Sequence, residues 1–269
     1  MASIASWIYD RPLRGNYTFT HDEVAQAFPD MSAGSIARAL TREVSKGRIM
    51  SPLRGFYVIV PDEYVLRGAV PQSFYLDDMM HHLGRKYYVA LLSAASYHGA
   101  SHQVPLRFSV MIEPPAMRDK KGEKYLTHFF CKSHIPETYV ERRQTRTGYI
   151  NVSCPELTAV DLLTYQAKTG SVSRAATVLA ELAEKLDFER LGADFVKEVP
   201  VTSLQRLGYI LDEVLEEGEA AESSVYSLLK CSGFALQYVP LKAGKSSEGC
   251  ERNAKWRIIV NETIEIDEL

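Results

Sequence analysis

Residues 17–60 are punctuated more tightly than any other part of this 269-residue chain. A β-rich run, Tyr17, Thr18 and Phe19, comes first. Thr20 and Glu23 then fit a capping box, the hydroxyl taking one free backbone N–H and the carboxylate reaching back to another. A helix over 22–28 follows, stopped by Pro29 and Asp30. Ser32 is placed to cap a further helix running to about Lys46, and Gly47 suits the left-handed residue that ends it. Two more β-rich runs, 48–51 and 56–60, flank a turn at Pro52–Gly55. Capped helix, short turn, capped helix and hairpin, in that order, make a winged helix-turn-helix.

The second capped helix separates packing from chemistry. At about 100° per residue, Ile36, Leu40 and Val44 share a face with Ala33 and Ala37. Ser35, Arg38, Arg42, Ser45 and Lys46 fall on the other side, with Thr41 beside them. The apolar face is expected to pack on the preceding helices and the basic face to meet DNA. A solvated helix also carries arginine and lysine, so one helix alone would not decide the matter. The surrounding motif does, although helix-turn-helix shapes also serve as protein-interaction modules.

A net charge of −3 looks wrong for DNA binding until it is divided along the chain. Residues 1–60 hold seven basic and five acidic side chains, a net of +2. Residues 200–269 hold seven basic against twelve acidic, a net of −5, and the middle is neutral. A local basic face is what displaces counterions from phosphate. So modest a field predicts moderate affinity per copy, hence more than one copy on an occupied site. No apolar run approaches the ~20 residues that cross a bilayer. No basic-then-hydrophobic leader opens the chain, so no signal peptide is expected. Four cysteines without C-x-x-C spacing suit free thiols in a reducing cytoplasm.

Beyond a connector at 63–76, the pattern predicts short helices at 77–83 and 87–97, then strands at 106–112, 125–132 and 148–152. Helices are expected at 155–167, 171–186, 188–198, 202–217 and 223–230, with late strands at 235–239 and 255–260. Strands first and helices mainly after predict an α+β fold. The expected organisation is a winged helix-turn-helix domain at 1–62 and, after the connector, a mixed α/β domain at 77–269.

Several of these runs resemble one family. Lys46-Gly47-Arg48-Ile49 followed by Leu53-Arg54-Gly55-Phe56-Tyr57-Val58-Ile59 resembles the wing of the AbiEi antitoxins. The run 88–99, rich in alanine and leucine and ending in His98-Gly99, is similar to the helix that begins their second domain. Pro155-Glu156, with Asp161-Leu162-Leu163, is similar to their later "PE…DLL" helix. The resemblance implies a transcriptional repressor of its own operon, bound to repeated sites in double-stranded promoter DNA. It also implies a partner toxin resembling nucleotidyltransferases, opposed by the second domain in the type IV manner, without a stable complex. Carried onto this sequence, the DNA-contacting residues are Ser35, Arg38, Thr41, Arg42 and Lys46, with Arg54 on the wing. Arg38 suits a guanine edge, while Lys46 and Arg54 suit phosphate.

Other candidates carry less. Gly244-Lys245-Ser246 lacks the glycine a phosphate loop needs at position 239, which is valine. The seven histidines show no metal-ligand spacing, so no metal or other cofactor is expected. His98 is expected to cap its helix or bond locally. A nuclease reading from Glu113, Asp119 and Lys121 is broken by Pro114-Pro115, and no catalytic residue is assigned. A basic stretch is harder to set aside: Arg107, Lys121, Lys124, Lys132, Arg142, Arg143 and Arg146, with Arg118 and Lys120, face five acids within forty residues. If the three middle strands are neighbours, these make one basic surface on the second domain, fit to carry antitoxin activity; a merely solvated set of loops is as good a reading. The competing functions are a transcription factor with a ligand-sensing or oligomerising second domain, and a DNA-directed nuclease.

Overall fold

The computed structural model describes residues 3–66, 70–100, 107–121, 126–215 and 219–266, and of 219–222 the backbone alone. Lys124, Glu123 and His102 lie outside the described residues. The chain forms two compact units. The first holds Met1–Tyr88, Leu106–Ile135 and Arg142–Asn151; the second holds Val89–Pro105, Pro136–Glu141 and Val152–Leu269.

The first unit opens with α1 (Ile4–Asp10), β1 (Thr18–Thr20), α2 (His21–Ala27), α3 (Ala33–Ser45), β2 (Ile49–Leu53) and β3 (Phe56–Ile59). β3 lies between β1 and β2, antiparallel to both, which is the winged helix-turn-helix arrangement. The capping box forms as expected: Glu23 N–H donates to Thr20 Oγ1 at 3.2 Å, and Thr20 N–H to Glu23 Oε2 at 2.7 Å. Helix α1 is the first of the helices expected to precede α3, for which the sequence reading set no bounds. It supplies Ile4 and Ile8 to a core with Phe19, Val24, Ile36, Leu40, Ile49 and Ile59. Trp7 packs edge-on against Phe19 at 5.4 Å, and the Arg11 guanidinium covers the Trp7 ring at 4.6 Å while pairing with Glu23 at 2.9 Å.

After the wing come α4 (Asp62–Val65), a 3-10 turn at Gln72–Phe74, α5 (Leu76–His82) and β4 (Tyr87–Val89). The expected break at residue 62 is not where the units divide. Thr18 Oγ1 donates to Asp78 Oδ2, Tyr17 packs on Phe74, and Phe56 packs on His82, so the winged helix and the next segment form one body. The helix expected over 87–97 is instead β4 followed by α6 (Leu91–Tyr97). Two tyrosines and a valine favour the strand. Leu91 makes the corner with φ of 55°, a left-handed conformation unusual for leucine.

Then follow β5 (Phe108–Ile112), β6 (Lys120–Lys121), β7 (Leu126–Cys131), β8 (Val140–Gln144) and β9 (Tyr149–Ser153). They form with β4 one sheet in the order β6-β7-β5-β4-β9-β8. β5 and β7 are parallel, as are β4 and β9, whereas β6 is antiparallel to β7. Val110, Met111 and Ile112 are all buried in succession, which marks a strand covered on both faces. The chain passes from one unit to the other within β4, β8 and β9.

The second unit continues with α7 (Pro155–Thr164), α8 (Gln166–Thr169), α9 (Val172–Leu182), α10 (Ala193–Glu198), α11 (Val201–Glu213) and α12 (Glu219–Cys231). A small sheet of β10 (Val239–Pro240), β11 (Arg252–Asn253) and β12 (Ile258–Ile259) closes it, with β12 central. Only a 3-10 turn at Phe188–Arg190 and α10 occupy the helix expected over 188–198. Helix α7 is buried from Pro155 to Leu163, Glu156 and Asp161 included. Strands, then mostly helices, make the chain α+β.

Candidate nucleic-acid interface

Helix α3 starts at Ser32, whose Oγ accepts from Ser35 N–H at 3.2 Å. It ends before Gly47, which takes the left-handed conformation with φ of 69°. Its buried stripe is Ile36, Leu40 and Glu43, with Ala39 packed against the same core. This corrects the expected apolar face: Val44 is 39% exposed, and Ala33 and Ala37 are open to solvent. The helix has turned so that Ala39 and Glu43, rather than Ala37 and Val44, flank the Ile36–Leu40 pair.

A buried carboxylate on a recognition-type helix needs compensation. Glu43 Oε1 accepts from Lys46 Nζ at 2.8 Å and Oε2 from Arg48 Nη1 at 3.2 Å. Burial pulls its pKa upward, yet the hydrogen bonds and charges of these two cations outweigh that and hold the carboxyl below its ordinary range. Sequence reasoning missed Glu43. The cations at i+3 and i+5 were the available signal.

The pair also changes what Lys46 offers to any ligand, because its ammonium is already engaged by a carboxylate. Arg38, Thr41 and Arg42 are exposed, and Ser35 is half-buried. Arg38 Nη2 donates to Ser35 Oγ at 3.3 Å, Arg42 Nε to the Arg38 carbonyl at 3.4 Å, and Thr41 Oγ1 to the Ala37 carbonyl at 2.9 Å. These are contacts along the helix itself, so the side chains can swing to a ligand without breaking the core. At the wing, Gly55 has φ of 78° in the turn between β2 and β3. Exposed Arg54 beside it has no hydrogen-bond or ion-pair partner among the described residues.

The second basic group does not form one surface. Lys121 and Lys132 belong to the β6–β7 edge of the sheet, whereas Arg142 and Arg143 belong to β8 at the other edge. β4 stands between β5 and β9, so the three expected strands are not all neighbours. At about 4.8 Å per strand the two edge strands lie roughly 24 Å apart. Alternation along β8 also sends Arg142 and Arg143 to opposite faces. Arg142 is exposed, its guanidinium 4.2 Å from the Tyr149 ring centre, while Arg143 is half-buried. Arg146 pairs with Glu63, Lys132 is half-buried, and Arg107 is exposed.

The nuclease candidates are occupied elsewhere. Glu113 Oε1 accepts from Ile135 N–H at 2.9 Å; Asp119 accepts from Phe129 N–H at 3.1 Å and pairs with His128 at 2.7 Å. Among the described residues no cluster of three or more His, Cys, Asp or Glu is arranged to hold a metal, and no helix is long and apolar enough to cross a membrane.

Two of the runs that carry the family resemblance, around His98 and Glu156, form joints within the second unit. His98 is the C-cap of α6, as expected, its backbone N–H donating to the Ala94 and Ala95 carbonyls at 3.2 and 3.0 Å, and its Nε2 also lies 2.7 Å from the Ser153 carbonyl, far along the chain. Lys185 donates to the His98 carbonyl, and Gly99 turns left-handed beside it. Glu156 Oε1 accepts from Asp187 N–H at 2.8 Å and Oε2 from Arg190 Nη2 at 2.7 Å. Cys154 caps α7, accepting from Leu157 N–H on sulfur, and burial pushes its thiol pKa well up, so it stays protonated.

The described residues thus show a winged helix-turn-helix arrangement within an α+β chain. Residues 88–213 match the family described as the AbiEi antitoxin C-terminal domain. That match, over somewhat less than half of the chain, supports the resemblance to the AbiEi antitoxins carried by the sequence runs. Its fold is similar to the crystal structure of the RV2827C protein from Mycobacterium tuberculosis, with a TM-score of 0.63 at 16% identity over 94% of this chain and 91% of that one. No curated protein matches the chain.

Proposed function

We propose that this protein represses the promoter of the operon it shares with a nucleotidyltransferase-like toxin, and opposes that toxin without itself catalysing a reaction. Residues 1–62 supply DNA binding and 77–269 the antitoxin activity, in the cytoplasm. The observation that carries the reading is the exposed face of α3, where Arg38, Thr41 and Arg42 project from a helix whose other side is locked into the winged-helix core. The N-terminal part of such a helix enters the major groove, and the wing reaches the adjacent backbone. Arg38 reads a base edge, Ser35 and Thr41 lie beside it, and Arg42, Lys46 and Arg54 take phosphates.

The test is a binding titration on the promoter fragment upstream of the chain's own gene. Arg38→Ala should lose about 1–3 kcal/mol on the operator and relax the preference for operator over scrambled DNA. Unchanged affinity and preference would remove α3 from the groove. Several copies on repeated sites should appear as stepwise complexes in the same titration.

A further inference from the structure

Residues 226–257 lie beyond the span matched by the antitoxin family, and the second unit gathers them around a basic, aromatic cavity. Trp256 sets its position. The indole lies so close to Gly208 on α11 that a Cβ there would come within 1.9 Å of Cζ3. Its Nε1 donates to Asp212 Oδ2 at 2.7 Å, and its backbone N–H to Asn253 Oδ1 at 2.9 Å. With Trp256 fully buried, its neighbours Lys255 and Arg257 remain exposed.

Tyr226, Leu229 and Lys230 of α12, with Gly233 and Phe234 just beyond it, complete the lining of a cavity of about 460 Å³. Among the described residues no acidic side chain is part of that lining. Lys230 Nζ lies 4.7 Å from the Tyr226 ring centre, and Phe234 is 51% exposed. Lys255 is held at 3.0 Å from Asp212, whereas Lys230 and Arg257 pair with no acid among the described residues. Arg257 stands over the Tyr238 ring at 5.1 Å, with Nη1 3.2 Å from the Tyr238 hydroxyl.

Two features separate this cavity from an ordinary solvated surface. Residues 200–269 carry seven basic against twelve acidic side chains, so a lining whose described residues include three cations and no acid runs against that balance. Arg257 also has φ of 55°, where a non-glycine residue costs roughly 1–2 kcal/mol and glycine almost nothing. The strain persists at a position whose side chain lines the cavity.

We propose that this cavity is a nucleotide site, in which a base stacks on the Phe234 and Tyr226 rings and a phosphate is met by Lys230 and Arg257. Aromatic faces accept any base, and a guanidinium matches phosphate oxygens two at a time. A free nucleoside triphosphate and the unpaired end of an RNA strand present the same chemistry. The site is independent of promoter recognition by α3.

The full chain is titrated with ATP and, separately, with a fluorescent single-stranded RNA hexamer carrying a 5′-phosphate. At least one probe should bind, and Phe234→Ala and Arg257→Gly should each weaken it about tenfold, the loss of one stacked base or one phosphate contact. Arg257→Gly suits the left-handed backbone, so it keeps the fold while removing the cation. Binding of ATP assigns the site to free nucleotide; binding of the hexamer alone assigns it to a strand end. Binding of neither probe, or binding that survives both substitutions, overturns the proposal. So does binding lost in Arg38→Ala instead, which would put the RNA on the winged helix. Promoter affinity in Phe234→Ala should equal the wild type, so failure here and failure of the repressor reading are read separately.

Discussion

Glu43 shows how a single side chain can belong to the core and to the binding face together. Its carboxylate is buried on α3, and the cations that keep it charged, Lys46 and Arg48, lie at the end of the same helix and the start of the wing. Because its pKa in the fold lies below the ordinary value, the ionised form is the one the fold favours. That contribution is complete above about pH 5 and is lost as the pH falls through the lowered folded-state value. Glu43→Gln keeps the volume but removes the charge. It should destabilise the winged helix by about 1–3 kcal/mol at neutral pH and flatten the acid limb of stability against pH. Urea unfolding at several pH values between 7 and about 3 measures both; superimposable acid limbs would show that Glu43 is not the titrating group. The outward placement of Arg38, Thr41 and Arg42 was legible at 100° per residue. The inward placement of Glu43 was not, since a helical wheel ranks a glutamate as polar and takes no account of cations i+3 and i+5 away.

Among elements, those with local punctuation were legible and those without it were not. Thr20, Ser32 and Gly47 act at the ends of α2 and α3 as their chemistry dictates. β4 was hidden because its three residues run straight into an alanine-rich helix. β8, Val-Glu-Arg-Arg-Gln, lacks an apolar face for alternation to reveal. The packing of α11 against Trp256 depends on contacts between residues about fifty apart, beyond any local pattern. It gives a sign reversal that tests the packing. Replacing a mid-helix glycine by alanine ordinarily stabilises by roughly 0.5–1 kcal/mol. Gly208→Ala should instead destabilise by about 1–3 kcal/mol, because the new methyl meets the indole. Near-UV circular dichroism followed through denaturation gives the value, and Trp256→Phe in the same chain should recover part of it. A Gly208→Ala protein more stable than wild type would mean that the ring does not sit there.

At the scale of the molecule, the α+β class followed from the order of strands and helices, but strand order did not. Nothing local places β4 between β5 and β9, and that insertion divides the basic residues between two edges of the sheet. The expected single surface thus becomes two smaller ones, of which we propose the β8 edge, with Arg142 exposed and Arg143 on the opposite face, for toxin opposition. Charge reversal at Arg142 and Arg143 should abolish rescue of cells expressing the toxin while a promoter reporter stays repressed. Loss of both readouts, or of neither, would refute the separation. The way the chain alternates between its units also bears on descent. It crosses five times between residues 88 and 152, so no single genetic crossover inside that interval can deliver either unit whole. A crossover that keeps both units intact must fall before or after the interval, so the interwoven middle passes on as one piece.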